Sequence, residues 1–443
     1  MSQFDLREWL RAAGELQHIS GADAVLEIGA ASELNYRRSH PRALLFGEIA
    51  GYRPGRRVLT SSLSNPALMG LTLGLGPGLS DHDLVEALRG RPAGWAKAAA
   101  SYPAEPVDSG PVFENVVVKG EIDFLAFPSP LWHEKDGGRY IGTGCAVVTT
   151  DPGTGVPNVG AYRIQVQDDG ASVSINMEAG RHGAQHVRAW FAREGRAPVA
   201  VSLGHHPVFL MVSGTEVPLG LSELDYAGAI LGERVPVVRC PDTGLSLPAE
   251  SELAFEGWLY PDRTRPEGPF GEWTGYYSGG VKPVLTAEVT GLFHRNDPVN
   301  LGAPPGKPPF DYSYMRSVMK SAMATDALAS AGLPRLVVGM SGSSAPQLGA
   351  AFLRAARSQG GWRRISCCRP VPGAASSWSC APTRPRSRSW PTWSTTRRTS
   401  VRPSPPARSP PRGWSSSPAR CGRWPRWPPG TPTTCWRGPR TSR

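Results

Sequence analysis

The spacing of apolar positions changes along the chain, and the change divides it. Over residues 4–16 (FDLREWLRAAGEL) apolar side chains recur at helical intervals, which predicts an amphipathic helix. Residues 43–47 and 58–62 read as short strands, and residues 82–88 as a helix started by Ser80 and Asp81. Helix and strand signals alternate through this first part, so an α/β domain is expected over residues 1–106, with residues 103–106 (PAEP) as its linker.

From Val112 the pattern becomes strands parted by turns: residues 112–118, 140–149, 158–167, 171–176, 199–203, 208–212 and 284–293. Two helices interrupt it. One covers residues 184–194, with Val187, Trp190 and Phe191 on one side, and the other starts at the N-cap Ser222 and runs through Ile230. The expectation for residues 107–300 is a mainly antiparallel β core, sandwich or split barrel, whose mouth can hold a ligand.

Residues 158–167 (NVGAYRIQVQ) are the most informative of these strands. Asn158 and Arg163 stand among Val159, Ala161, Tyr162, Ile164 and Val166, a set suited to a sheet interior. Burying an amide without a partner costs roughly 2–7 kcal/mol and a bare charge far more, so something polar is expected to bind there.

Composition alters the picture mainly at the far end. The 443 residues imply two or three domains, and the net charge is +11. From Trp362 onward there are 17 Arg and no Lys, Asp or Glu, so residues 1–361 carry 11 − 17 = −6. The same stretch, residues 362–443, holds five of the seven Cys and eight of the 14 Trp, and lacks Leu, Met, Phe, Tyr, His, Asn and Gln. Two readings compete for it. Arg charge with interspersed Trp suits single-stranded nucleic acid. The abrupt loss of Leu and of every acid favours an out-of-frame translation of GC-rich coding sequence, and no nucleic-acid partner is then expected. Cys145 and Cys240 have no close Cys neighbour, which argues against a zinc or disulfide framework. Residues 1–10 show mixed charge without an apolar run, and no segment approaches the roughly 20 apolar residues of a membrane span, so a cytoplasmic protein is expected.

Two constellations carry candidate chemistry. Asn158, His182 and Glu223 offer an amide oxygen, an imidazole nitrogen and a carboxylate, a mixture suited to Mn²⁺ or Mg²⁺. Glu223 is equally explained as a first-turn acid facing the helix dipole, and His182 competes with His186, His205 and His206. The second is Glu267-Gly268-Pro269-Phe270-Gly271-Glu272, followed by Trp273, Tyr276 and Tyr277. It reads either as an acid–base pair tuned by a neighbouring Arg or as a solvated turn.

Taken together, His133-Glu134-Lys135-Asp136-Gly137-Gly138-Arg139-Tyr140-Ile141, NVGAYRIQV, Gly180-Arg181-His182-Gly183, Ser222-Glu223-Leu224-Asp225-Tyr226-Ala227-Gly228 and EGPFGE resemble, in order and separation, the UbiD family of prenylated-FMN-dependent decarboxylases. The resemblance covers about residues 4–335. It implies an α/β chain around a flavin-reductase-like split barrel. Asn158, His182 and Glu223 match the family's Mn²⁺-type ligands clamping the flavin phosphate, while Ala161, Tyr162, Arg163 and Arg181 line the cofactor. Arg163, Glu267 and Glu272 match its catalytic Glu-Arg-Glu network, with Glu272 as the proton donor. A K⁺ ion is usual near the cofactor, without assignable ligands here.

The implied reaction is reversible, non-oxidative decarboxylation. An aromatic, hydroxybenzoate-type acid is favoured because Trp273, Tyr276 and Tyr277 can stack on a ring, with α,β-unsaturated acids as the alternative. A flavin prenyltransferase as cofactor supplier and a homo-oligomer are the implied partners. A non-catalytic flavin-binding relative is the further reading. Residues 301–361 would begin the family's C-terminal α/β domain, which contributes a Lys to the cofactor phosphate. No Lys follows Trp362, so that domain reads as lost or frameshifted.

Overall fold

The alternation that predicted a β core builds one ten-stranded sheet, every pairing of which is antiparallel. The computed structural model describes residues 2–331 apart from Glu15, Pro77 and Trp273, and beyond them two strands, Arg369–Pro370 and Trp378–Ser379. Two units are distinguished, Met1–Arg363 and Arg364–Arg443. In the second, the two strands named pair antiparallel. The other expectations for residues 332–443, including the out-of-frame tail and the fate of a C-terminal domain, fall outside the described residues.

The sheet turns on its longest strand, Lys282–His294, which pairs with Val173–Ile175, Leu253–Leu259, Thr264–Glu267 and Asn115–Val118 along its length. A register shift at Glu256/Gly257 helps it curl. Side chains of successive residues point to opposite faces, and here both faces are covered. Val147, Val199, Val201 and Phe255 enter the core inside the curl, while Ala146, Val148, Ala200 and Ala254 enter the core that Leu6, Trp9, Phe209 and Leu224 share outside it. Ala197–Gly204 is consequently buried at all eight positions.

The first part forms a four-stranded sheet. Leu16–Ser20 runs parallel to Ala43–Gly47, which runs antiparallel to Arg57–Thr60. Val299–Leu301 then joins Arg57–Thr60 in parallel, so chain that follows the barrel completes this sheet. The helix Asp81–Leu88 begins with the expected Ser80 in a capping box with Asp83. The helix Leu6–Ala12 stops short of Leu16 and is tied to the barrel by Arg7, whose Nε and Nη2 donate to the fully buried Glu252 at 2.7 and 3.0 Å.

Four expectations are corrected. Residues 208–212 are not a strand but part of the helix Pro207–Ser213, capped by His206 and started by Pro207; a segment buried on every side has no period to read. Residues 103–106 are not a free linker, because Glu105–Pro106 pairs in parallel with Pro236 and Val237. Residues 158–167 are two strands, Pro157–Gly160 and Ile164–Val166, and residues 140–149 likewise divide into Tyr140–Gly142 and Ala146–Thr150. Val147 pairs with Gly160 and Gly142 with Ile164, and between these rungs the hairpin parts. Glycine permits the parting at Gly160, where a Cβ would lie 2.5 Å from the Tyr162 ring.

Asp311 opens the helix Asp311–Ser330 and is fully buried, accepting from the Tyr36 hydroxyl at 2.5 Å and the Leu63 N–H at 2.7 Å. Burial pushes it up to about 6 from an ordinary 3.8, which those donors only partly offset. The native state therefore holds this proton more tightly than the unfolded chain. The resulting stability is complete below the unfolded value and is lost as pH rises through 6. Raising the pH from 4.5 to 7.5 is expected to lower the stability of the native chain relative to Asp311→Asn by about 2 kcal/mol. Denaturant titration of both at the two pH values checks this; parallel curves would dismiss Asp311 as the titrating group.

Candidate active site

The parted hairpin turns Ala161, Tyr162 and Arg163 out of the ladder, and two cavities adjoin there. One, of about 180 Å³, is lined by residues including Ala161, Tyr162, Arg163, Arg181, Glu272 and Arg316. The other, of about 340 Å³, is lined by residues including Asn158, Ala161, Tyr162, Arg181, His182 and Glu223. Ala161, Tyr162, Arg181 and Arg316 belong to both, so the cavities share a wall. Together they fall in the range of roughly 300–1,000 Å³ usual for ligand clefts.

In the smaller cavity an acid–guanidinium–acid chain forms. Arg163 Nε and Nη2 donate to the two oxygens of Glu267 at 2.7 and 3.1 Å, and Nη1 reaches Glu272 Oε1 at 3.5 Å. Glu267 is fully buried and does not line the cavity; Glu272 does. Burial acts against the charge of Arg163, yet its bonds to Glu267 outweigh that, and its pKa lies above the ordinary value. Glu267 also accepts from the Tyr140 hydroxyl at 2.9 Å and from Asn176 Nδ2 at 3.1 Å. Burial, then the adjacent carboxylate, drive the Tyr140 hydroxyl well above the usual phenol range, which keeps it a donor. The Phe270 ring lies 3.9 Å from that of Tyr140 and 5.3 Å from Arg163 Cζ, closing the chain on its apolar side.

The larger cavity gathers the three candidate metal ligands from separate elements. Asn158 comes from the edge strand Pro157–Gly160, His182 begins the helix His182–Glu194, and Glu223 begins the helix Glu223–Leu231 after its cap Ser222. Glu223 is 5% exposed and accepts from the Val159 N–H at 2.7 Å. Burial pushes its carboxyl up to about 7, and the backbone N–H groups of Val159 and Glu223 offset only part of it. Asn158 Nδ2 is buried without a hydrogen-bond partner. A carboxyl that burial drives up is what a hard cation would relieve, and the Asn158 amide and His182 imidazole on the same wall offer a neutral oxygen and nitrogen beside it, so the residues present fit a divalent ion. Among the described residues no group of three His, Cys, Asp or Glu could hold a metal, so on this wall His182 and Glu223 would need a ligand of another kind, which the Asn158 amide oxygen offers.

The structure places Asn158, His182 and Glu223 on one cavity and links Arg163, Glu267 and Glu272 beside the other, but it reassigns several further side chains. Tyr162 lines both cavities, yet its ring is 7% exposed and its hydroxyl accepts from the Gly183 N–H at 3.1 Å, bracing the start of the His182 helix. Tyr276 and Tyr277 do not line the cavity, and so cannot stack on a ligand in it; Trp273 lies outside the described residues. The aromatic lining comes from Phe270, Phe310 and Tyr312 together with Tyr162.

Sequence reasoning missed Tyr140, Gln165, Asn176 and Arg316. For Gln165 a signal existed, since it lies two residues from Arg163 and shares its face; its Oε1 accepts from the Gly268 N–H at 3.1 Å, steadying the acid loop. Arg316 had none. It stands on the helix Asp311–Ser330, donates from Nε to the Gly214 carbonyl at 3.0 Å, and has no ion-pair partner among the described residues.

A curled antiparallel sheet presents an acid–guanidinium–acid chain beside a second, polar cavity, the parts of an enzyme site. Residues 105–308 match the UbiD family, described as the 3-octaprenyl-4-hydroxybenzoate carboxy-lyase Rift-related domain. The pyrrole-2-carboxylic acid decarboxylase of Pseudomonas aeruginosa is 36% identical over 351 residues, 75% of this chain and 68% of that protein. The vanillic acid decarboxylase of Sedimentibacter hydroxybenzoicus aligns with a TM-score of 0.65 and 28% identity over 74% of this chain and 69% of its own. An evolved dimeric UbiD-class enzyme from Pelotomaculum thermopropionicum, in complex with prFMN, aligns at 0.63 and 27% over 74% and 73%. Two further relatives, uncharacterized proteins of Archaeoglobus fulgidus and Synechocystis, are matched over 46% and 40% of their length. The chain belongs to the UbiD family of prenylated-FMN-dependent decarboxylases.

Among the described residues no helix is long and apolar enough to cross a membrane.

Proposed function

We propose that this chain catalyses the reversible, non-oxidative decarboxylation of an aromatic, hydroxybenzoate-type carboxylic acid with prenylated FMN and Mn²⁺ or Mg²⁺. The observation that carries the reading is the Arg163 fork, fixed bidentate on buried Glu267 while its free edge reaches Glu272 on the cavity wall. Phe270, Phe310 and Tyr312 around that cavity support a planar ring as the substrate. Asn158, His182 and Glu223 would hold the metal, and Arg181 and Arg316 supply positive charge toward a phosphate. A homo-oligomer, and a flavin prenyltransferase as supplier of the cofactor, complete the proposal.

Loss of CO₂ from an sp² carbon leaves an electron pair that side chains cannot accept; prenylated FMN, when bound, supplies the sink. The rest falls to the chain. Glu267 fixes the Arg163 plane, Arg163 orients Glu272 and a substrate carboxylate by charge, and Glu272 delivers the proton that replaces the departing CO₂. Run in reverse, Glu272 takes that proton back.

The experiment is CO₂ release from hydroxybenzoates by the full chain co-expressed with a flavin prenyltransferase. No release from a preparation holding both flavin and metal would overturn the hydroxybenzoate reading; no release from α,β-unsaturated acids either would leave a flavin-binding relative. For the metal site, Glu223→Ala is expected to lose bound Mn, read by elemental analysis, and to weaken flavin binding about tenfold or more. Full Mn content in that variant would remove Glu223 from the ligand set.

A further inference from the structure

The stretch His133-Glu134-Lys135-Asp136-Gly137-Gly138 stands out in the sequence, but the proposed reaction uses none of it. It packs against the loop that carries Glu272. The Asp136 side chain is fully buried; its Oδ1 accepts from the Tyr277 hydroxyl at 2.6 Å and its Oδ2 from the His133 N–H at 3.0 Å. One residue on, the Gly137 N–H donates to the Pro269 carbonyl at 2.7 Å, and the Gly137 carbonyl accepts from Gln165 Nε2 at 3.2 Å. The two loops meet backbone to backbone, since a Cβ on Gly137 would lie 1.8 Å from the Gly268 carbonyl oxygen.

Beyond that contact the acid loop has few ties of its own. The Glu272 N–H donates to the Tyr276 carbonyl at 2.9 Å and the Gly275 N–H to the Glu272 carbonyl at 2.8 Å, so Glu272 and Tyr276 close one turn. Glycines at 271, 275, 279 and 280 widen the backbone conformations open to the loop, although Gly275 packs against the Lys307 backbone. Tyr276 is 74% exposed, whereas Tyr277 is 38% exposed and reaches inward to Asp136. Burial, and then the bond to Asp136, hold the Tyr277 hydroxyl far above the ordinary phenol range, so it stays a donor across the working pH range.

We infer that Asp136 and Tyr277 are positioning residues: their bond pins the turn from Glu272 to Tyr277 to the rigid HEKDGG loop and so holds the Glu272 carboxylate at working distance from Arg163. The role rests on the reading of Glu272 as proton donor. The juxtaposition itself does not.

The test uses the full chain loaded with prenylated FMN. Tyr277→Phe, at a partly exposed position, is expected to raise hydrogen exchange across residues 268–280 about tenfold. It is also expected to lower kcat about tenfold to a hundredfold, with KM changed less than about threefold and flavin content unaltered. Asp136→Asn keeps one oxygen for the phenol and is expected to show the same pattern at smaller amplitude. Tyr314→Phe removes another hydroxyl–carboxylate bond of 2.6 Å, to Asp81, and is expected to change neither exchange nor kcat. Unchanged exchange in Tyr277→Phe, an unchanged kcat, or a loss confined to KM or to flavin content would each overturn the brace. Exchange is read without substrate. An unaltered chain that released no CO₂ would defeat the decarboxylase reading alone and leave the exchange result standing.

Discussion

Glu272→Gln is expected to lower CO₂ release by about 10²–10⁴-fold while flavin and metal remain bound. The substitution keeps the shape of the side chain and removes only its transferable proton. Glu272 is the one acid of the Arg163 pair that lines the cavity, and its side chain is 30% exposed, so its replacement leaves no buried charge stranded. Its bond to Arg163, at 3.5 Å, is also the weaker of the two. Stability is therefore expected to change by less than about 1 kcal/mol. The measurement is single-turnover CO₂ release beside a flavin absorbance spectrum. A variant that keeps more than about a tenth of the parent rate would remove Glu272 as proton donor.

Glu267→Gln is expected to behave in the opposite way, losing fold stability as well as activity. Its carboxylate is fully buried and serves Arg163 through both oxygens, Tyr140 through one and Asn176 through the other. A glutamine keeps one acceptor and turns an NH₂ group toward a guanidinium that already donates there. The charge of Arg163 is then left buried without its partner, a change that costs about 3–5 kcal/mol where a buried pair is broken. The melting temperature of Glu267→Gln is expected to fall by several degrees, with no matching fall in Glu272→Gln. Calorimetry of the three chains side by side decides this, and equal melting temperatures would show that Glu267 does not carry the guanidinium. The contrast separates a residue that holds the site together from one that does its chemistry.

Much of this site could be read from the chain because polar residues stood where a sheet interior was expected. Asn158 and Arg163 broke an apolar strand, and the structure gives each a cavity wall. The EGPFGE acids were singled out for their aromatic neighbours, but those neighbours proved to serve another end. Tyr277 turns to Asp136 and Tyr276 to solvent, while Phe270 packs on Tyr140 and Arg163. A run of aromatics after an acid gives no direction to their rings, because in a glycine-rich loop neither the helical nor the strand period holds. The same lack of period hid the helix Pro207–Ser213, buried on all sides, and the parting of the hairpin at residues 161–163.

By itself the sequence determined which segments are helix and strand wherever one face differs from the other, which polar residues interrupt an apolar strand, and which family the motif blocks resemble. Those are local properties, set within a few residues by periodicity and by the cost of burying polar groups. Only the tertiary structure decided that Arg163 meets an acid 104 residues away in a bidentate pair and a second one 109 residues away at its free edge. It alone brought Arg316 to the wall shared by both cavities and Asp136 beneath the acid loop. Such contacts follow from how distant segments pack around a curled sheet, and pairing between distant strands leaves no periodic trace in the chain that forms it.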